Sequence, residues 1–254
     1  MIELWHEWNS VQSFKVRVVL AEKDLEWTPR RVELLKFEHL QSEYLRLNPN
    51  GVVPTLVHDG KVVLESSVIC QYLDEAFPKP ALMPLDPCAR AQARIWLKVF
   101  DEVAHPAIRQ ASFELLYRPL VALMPPAELE ARLARHPNPK RAQSFRDAAR
   151  GAADIAAIKE AVLIFRRMIA RMDAALERNE WLASAHYSLA DVAMAPFVER
   201  LEHLGLADLS EPFPRVRRWS ATVMARPATA SARAPLDHRL PVHLPARLDE
   251  LTNC

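Results

Sequence analysis

Val52-Val53-Pro54, followed after one short apolar run by Glu65-Ser66-Ser67, constrains this chain more than any other stretch. Proline has no N–H to give a sheet ladder, so Pro54 at the head of a strand pattern marks an edge or an entry point. If the Val53-Pro54 bond is cis, a minority state that the surrounding structure must hold, Val53 turns its N–H and C=O outward. Both groups are then free to pair with a short extended peptide. Glu65 and Ser66 open an apolar helical pattern, where unsatisfied N–H groups and the dipole favour an anion. Singly, each piece also reads as a loop proline or an ordinary N-cap. Their order and spacing favour a binding site.

Bulk properties exclude several classes. The 254 residues can bury a sizeable core in one large domain or two modest ones. Lys+Arg 33 against Asp+Glu 32 leaves a net charge of +1, with no concentrated basic face for nucleic acid. Gly is scarce (4) and Pro abundant (20), which suits helices with stiff connections rather than a glycine-rich phosphate loop. The three cysteines, Cys70, Cys88 and Cys254, form no CxxC and have no metal-ligand spacing, so no metal and a reducing cytoplasm are expected. Cys70 falls in an apolar helical pattern and reads as core. The first residues carry an acid where a signal peptide would be basic. No apolar run is long enough to cross a bilayer, so no membrane association is expected.

The first third alternates strand and helix patterns. Residues 2–6 read as a strand and 13–23 as a helix with Val16, Val19 and Leu20 on one face. A second strand is expected at 27–34, a helix at 37–47, and a hairpin of 53–58 and 61–64 around Asp59-Gly60. A helix at 66–77 ends at Pro78. The order β-α-β-α-β-β-α is that of the thioredoxin fold, so residues 1–79 form an α/β thioredoxin-like domain. Residues 80–88 are its linker.

Beyond the linker no convincing strand remains, and an all-α domain is expected over 89–226. A long helix is expected at 89–117, disturbed at Pro106, and another at 155–178 with Phe165, Met168 and Met172 in its stripe. Residues 118–153, with Pro125, Pro126, Pro137 and Pro139 among charges, read as an irregular insertion. Ser188 and Asp191 are spaced as a capping box, with Tyr187 and Val192 as its staple, which makes Asp191 a folding residue rather than a catalytic one. A last helix is expected at 213–225, and Pro227, Pro235, Pro241 and Pro245 predict an extended tail over 227–254.

Taken together these features resemble the cytosolic glutathione transferases over about the first 225 residues. The residues that carry the resemblance are Ser10–Arg17, Asn48-Pro49-Asn50-Gly51-Val52-Val53-Pro54, Glu65-Ser66-Ser67-Val68-Ile69 and Ser188-Leu189-Ala190-Asp191. The insertion, with Glu128–Pro139 and the Arg-rich stretch after it, is similar to that of the bacterial β-etherases, transferases that cleave aryl ethers derived from lignin.

The resemblance implies glutathione as co-substrate, a hydrophobic, aromatic electrophile, and a homodimer to which Phe77, Trp96 and Phe100 contribute. Glutathione's thiol, with a free pKa of about 8.5, needs roughly 2.7 kcal/mol of preference for the thiolate to ionise about two units lower. A hydroxyl at a helix N-terminus supplies this by a charge-assisted hydrogen bond plus the dipole. Ser10 or Ser13 would carry that hydroxyl, with Asn9 as a third donor; either serine also reads as a simple helix cap. Val53, beside Pro54, would pair with the cysteinyl backbone. Glu65 and Ser66 would hold the γ-glutamyl group, and His39 or Lys36 would face the glycyl carboxylate. Trp8, His105, Phe113 and Tyr117 would line the second-substrate pocket, where Tyr117 or His105 can polarise an ether or carbonyl oxygen. Lys15 and Arg17 read as surface charges.

Three other functions fit the same fold. A thiol–disulfide reductase would want a cysteine at the first helix, where this chain has serines. A non-enzymatic glutathione-binding member would not need the hydroxyl that the chain retains. An isomerase of maleyl-type acids would want a serine–serine–cysteine run that is absent.

Overall fold

Four short strands and the helices that flank them form the N-terminal part of the computed structural model, which describes residues 1–151 and 153–243. Cys254, Pro245 and the rest of the expected tail end lie outside the described residues. Strand β1 (Ile2–His6) alternates, with Ile2, Leu4 and His6 inward, as a half-buried strand must. It pairs in parallel with β2 (Thr28–Arg31) and antiparallel with β3 (Thr55–His58), which pairs antiparallel with β4 (Lys61–Val63). The sheet order is therefore β2-β1-β3-β4. Leu4 stands opposite Leu56, and Leu56 opposite Val63, placing apolar side chains on one row. Asp59 and Gly60 both take positive φ, 48° and 77°, the geometry that a two-residue hairpin turn demands.

Helix α1 (Val11–Glu22) begins at the Ser10 cap and is enclosed by α3 (Ser66–Ala76), α10 (Leu189–His203) and α12 (Pro227–Ala232). That enclosure overturns one expectation: Lys15 and Arg17 are not surface charges but are buried. Lys15 Nζ donates to Ser67 Oγ at 2.7 Å and pairs with Asp101 Oδ1 at 3.0 Å, while it sits over the Phe100 ring. Arg17 donates to the carbonyls of Glu7, Trp8 and Ala232.

The helix expected at 37–47 is broken. Phe37 adopts φ 58°, which closes the 3-10 turn Leu34–Lys36 and opens another at Glu38–Leu40 before α2 (Ser42–Leu47).

The helical part begins with α4 (Pro87–Val99), capped by Asp86. A π turn at Phe100–Ala104 joins it to α5 (His105–Ser112), and a second at Phe113–Tyr117 joins α5 to α6 (Arg118–Val121). Pro106 therefore starts a new helical segment, where its missing N–H is tolerated.

The insertion is not irregular. Its prolines open helices rather than break them: Pro126 begins α7 (Pro126–Leu133), and Pro139 begins α8 (Pro139–Arg150) behind an Asn138 cap. Both pack through Leu129, Leu133 and Ala142 on Phe37, Leu40 and Phe113. Nor is the tail extended throughout, because Pro227 opens α12 and Leu236–His238 forms a 3-10 turn.

Helix α9 (Ile155–Leu176) buries Phe165, Met168 and Met172, and α11 (Pro214–Ala225) packs against it. The capping box of α10 forms as expected, and Asp191 Oδ1 also accepts from Leu182 N at 3.0 Å and Trp219 Nε1 at 2.8 Å. One apolar core runs from Leu4 and Leu56 of the sheet through Phe14 to Phe165 and Phe197. Trp96 and Phe100 belong to it. They are buried and unfit for the subunit contact expected of them.

Candidate active site

A cavity of about 540 Å³ opens between the sheet's C-terminal loops and helices α5 and α8. Ser10 lies on its floor, and the chain's local hydrogen bonding explains why. As N-cap of α1, Ser10 accepts the Ser13 amide on Oγ at 3.1 Å. A hydroxyl has two acceptor sites and one O–H, so the cap leaves the O–H free to donate. Ser13, the other expected partner of the thiol, is fully buried and off the cavity; its Oγ accepts only the Glu7 amide, at 3.5 Å. Asn9 lines the cavity, but its amide group is engaged elsewhere. Nδ2 donates to the His238 carbonyl at 2.7 Å and Oδ1 accepts from Leu240 N at 3.0 Å, which pins the tail.

Opposite Ser10, the Val53-Pro54 peptide is cis and both residues line the cavity. The preceding carbonyl, of Val52, accepts from Tyr44 Oη at 2.6 Å and Asn48 Nδ2 at 2.8 Å. Neither the amide nor the carbonyl of Val53 has a partner among the described residues. Sequence reasoning missed Tyr44 and Asn48, which hold this turn from beneath.

Glu65 takes φ 65°, a strained left-handed value for a residue with a Cβ. It delivers Ser66 and Ser67 to the N-terminus of α3. Ser66 Oγ donates to Gln12 Oε1 at 2.6 Å, and Gln12 Nε2 donates to Asp101 Oδ1 at 3.4 Å. The buried Lys15 closes this polar chain, so the first turns of α1 and α3 are fastened to the π turn Phe100–Ala104.

His39 lines the cavity, and it is buried rather than exposed. Burial, with His136 and Arg141 beside it, pushes it down to about 3, so the ring is neutral at neutral pH. Lys36 does not reach the cavity; its ammonium pairs with Glu33 at 2.9 Å on the surface. Gly51 (φ +58°) admits the tip of the insertion, because a Cβ there would meet Leu40 at 3.1 Å and Pro137 at 3.2 Å.

On the helical side His105, Phe113 and Tyr117 line the cavity. Burial pushes Tyr117 up to about 12 and, with Lys15 adding to it, His105 down to about 4. Both are therefore neutral at neutral pH, Tyr117 as a phenol able to donate. Trp8 is absent from this cavity. It lies behind α1, with the Arg17 guanidinium 4.6 Å from its ring centroid and the His238 ring stacked at 6.1 Å.

Arginines are the residues that pattern reading missed: Arg109 on α5, Arg141 on α8 and Arg200 on α10 all line the cavity. Arg200 bridges Ser112 Oγ at 2.8 Å and the Asn9 carbonyl at 2.6 Å. A lone charge on a helix gives no local signal of its aim, although the Asn138-Pro139 helix start would have located Arg141 on α8. Cys70 is no candidate nucleophile, since burial pushes its thiol up to about 12.

Residues 1–75 match the family model "Glutathione S-transferase, N-terminal domain" and residues 132–227 match "Glutathione S-transferase, C-terminal domain". The chain belongs to the glutathione transferase family. It is 31% identical over 237 residues to Protein LigF of Sphingobium sp. strain SYK-6, covering 89% of this chain and 91% of that protein. The crystal structure of that protein, described as a β-etherase, superposes with a TM-score of 0.83 at 30% identity, over 91% of this chain and 98% of the other. Glutathione S-transferase F10 of Arabidopsis thaliana is 28% identical over 214 residues, 83% of this chain and 86% of that protein. The fold is accordingly that of this family, an α/β thioredoxin-like part joined to a helical one, and the chain is a glutathione transferase.

Proposed function

We propose that this transferase ionises glutathione at Ser10 and directs the thiolate at an aromatic electrophile, with cleavage of a β-aryl ether as its reaction. The observation that carries the reading is the Ser10 hydroxyl. It lies at the N-terminus of α1 on the cavity floor, with its acceptor site taken by Ser13 N and its O–H free. A thiolate there gains a charge-assisted hydrogen bond and the positive end of the helix. The peptide backbone would pair with Val53, the γ-glutamyl group would meet Glu65 and Ser66, and the glycyl carboxylate would receive an N–H from neutral His39.

For an ether beside a carbonyl, the thiolate attacks the carbon bearing the aryloxide. The C–S bond forms as the C–O bond breaks, and the aryloxide leaves with the electron pair and then takes a proton. Tyr117, a partly buried phenol in the same cavity, would donate a hydrogen bond to the carbonyl or the departing oxygen. The likeness to a protein described as a β-etherase supports the ether as substrate.

A homodimer in the cytoplasm belongs to the same proposal. Exposed Val68 on α3, Ile95 on α4 and Val103 supply apolar surface for it. No helix among the described residues is long and apolar enough to cross a membrane.

A phenacyl aryl ether whose released phenol fluoresces tests the reaction. Glutathione-dependent release, with the thioether found by mass spectrometry, is the expected result. No thioether with this ether or with 1-chloro-2,4-dinitrobenzene would contradict it.

A further inference from the structure

Most arginines of the insertion and its neighbours have partners. Arg118 is bonded to Glu114, Arg132 to Glu128 and Arg146 to Glu130. Arg109 and Arg141 are different: both are partly buried, both line the cavity, and neither guanidinium has a hydrogen-bond or ion-pair partner among the described residues. They come from two helices, α5 and α8, and Arg141 bears electrostatically on Arg109. The carboxylates nearby are accounted for. Asp101 is held by buried Lys15, and Glu65, which lines the same cavity, acts on Arg141 through its charge without forming an ion pair with it.

Two like charges held in a part-desolvated space with no carboxylate bonded to either are costly unless an anion joins them. A guanidinium presents a planar fork that matches a carboxylate. Phe113 and Phe145, whose rings meet edge to face 5.2 Å apart, line the same wall and supply an apolar surface for an aromatic ring.

We propose that Arg109 and Arg141 form a carboxylate-binding subsite, and that the electrophile this transferase takes is an aromatic acid. The inference rests on the glutathione reading above and deepens it by naming the charge of the second substrate. Glutathione itself offers the same chemistry, because it carries two carboxylates, so the test must separate the two sources.

S-benzylglutathione and S-(4-carboxybenzyl)glutathione differ only in a carboxylate on the second-substrate side. Their dissociation constants are measured by titration calorimetry on the full chain. We expect the acid to bind about tenfold more tightly than the neutral compound, as a charge-assisted pair warrants. In Arg109→Gln and in Arg141→Gln that ratio should fall towards one. Neither substitution removes a hydrogen bond within the protein, and Arg109→Lys and Arg141→Lys, which keep the charge but lose the fork, should give intermediate ratios if the glutamine variants fail to fold. A wild-type ratio near one would overturn the proposal. So would a ratio that survives in the variants while both affinities fall together, since the arginines would then serve glutathione's own carboxylates. If neither compound binds, the glutathione reading itself fails and takes the subsite with it.

Discussion

Arg200 Nη2 donates to the Asn9 carbonyl oxygen at 2.6 Å, one residue ahead of Ser10. The same guanidinium holds Ser112 Oγ at 2.8 Å through Nη1. A buried side chain on α10 thus ties the loop that carries the Ser10 hydroxyl to α5, on the wall of the cavity. The two halves of the cleft are held in register by a fork rather than by apolar packing alone.

Replacing Arg200 by Met keeps the volume but leaves the Asn9 carbonyl and Ser112 without their donor. Small misplacements of a reacting group are costly. We expect kcat to fall about tenfold, with a smaller rise in KM for glutathione, in steady-state kinetics with 1-chloro-2,4-dinitrobenzene. Equal losses in thermal stability and in both kinetic parameters would instead mean that Arg200 only supports the fold.

Lys15 is wholly buried, with Ser67 and Asp101 as its partners. Removing one member of a buried pair leaves the other uncompensated. Asp101 is partly solvated, which softens the loss, so Lys15→Met should lower the unfolding free energy by about 2 kcal/mol in urea titration. A change within about 0.5 kcal/mol would be that of an ordinary surface lysine.

Three histidines, His6 and His39 buried and His105 partly so, make the fold acid-sensitive. Burial, with Arg17 and Arg31 adding to it, pushes His6 down to about 3; His39 is likewise at about 3 and His105 at about 4. Below pH 6.5 the unfolded chain therefore binds more protons than the folded one at these sites, and stability is lost as pH falls. Asp191, raised by burial to about 6, works the other way, since it favours the folded state when protonated. Three groups against one leave a net loss. Denaturant unfolding at pH 7 and pH 5 should show a fall of about 2 kcal/mol or more. Stability that stays level or rises on acidification would contradict the neutral, buried state of these rings.

What was legible in the sequence was local. Val53-Pro54, the Glu65-Ser66 helix start, the Asp59-Gly60 hairpin and the Ser188–Asp191 capping box are each set by residues adjacent in the chain, so short windows suffice to read them. Lys15 and Arg17 were misread because periodicity gives a residue's angle around α1 but not the three helices that close over it. The prolines of residues 118–153 were counted as breakers, whereas Pro126 and Pro139 occupy first helical positions where the missing N–H costs nothing. Ser10 and Ser13 are three residues apart, close in angle on one helix. Only the packing beneath α1 shows that one meets the cavity while the other is sealed under Glu7. Arg109, Arg141 and Arg200 carry no local signature at all, since their meeting depends on how α5, α8 and α10 are assembled.

The most direct test is the ionisation of glutathione within the binary complex, followed by thiolate absorbance near 240 nm as pH is raised. In the wild type the midpoint should lie about one to two units below the free value of about 8.5. In Ser10→Ala it should return to about 8 or above, while Ser13→Ala stays with the wild type. A Ser10→Ala complex that ionises at the wild-type midpoint would contradict the account.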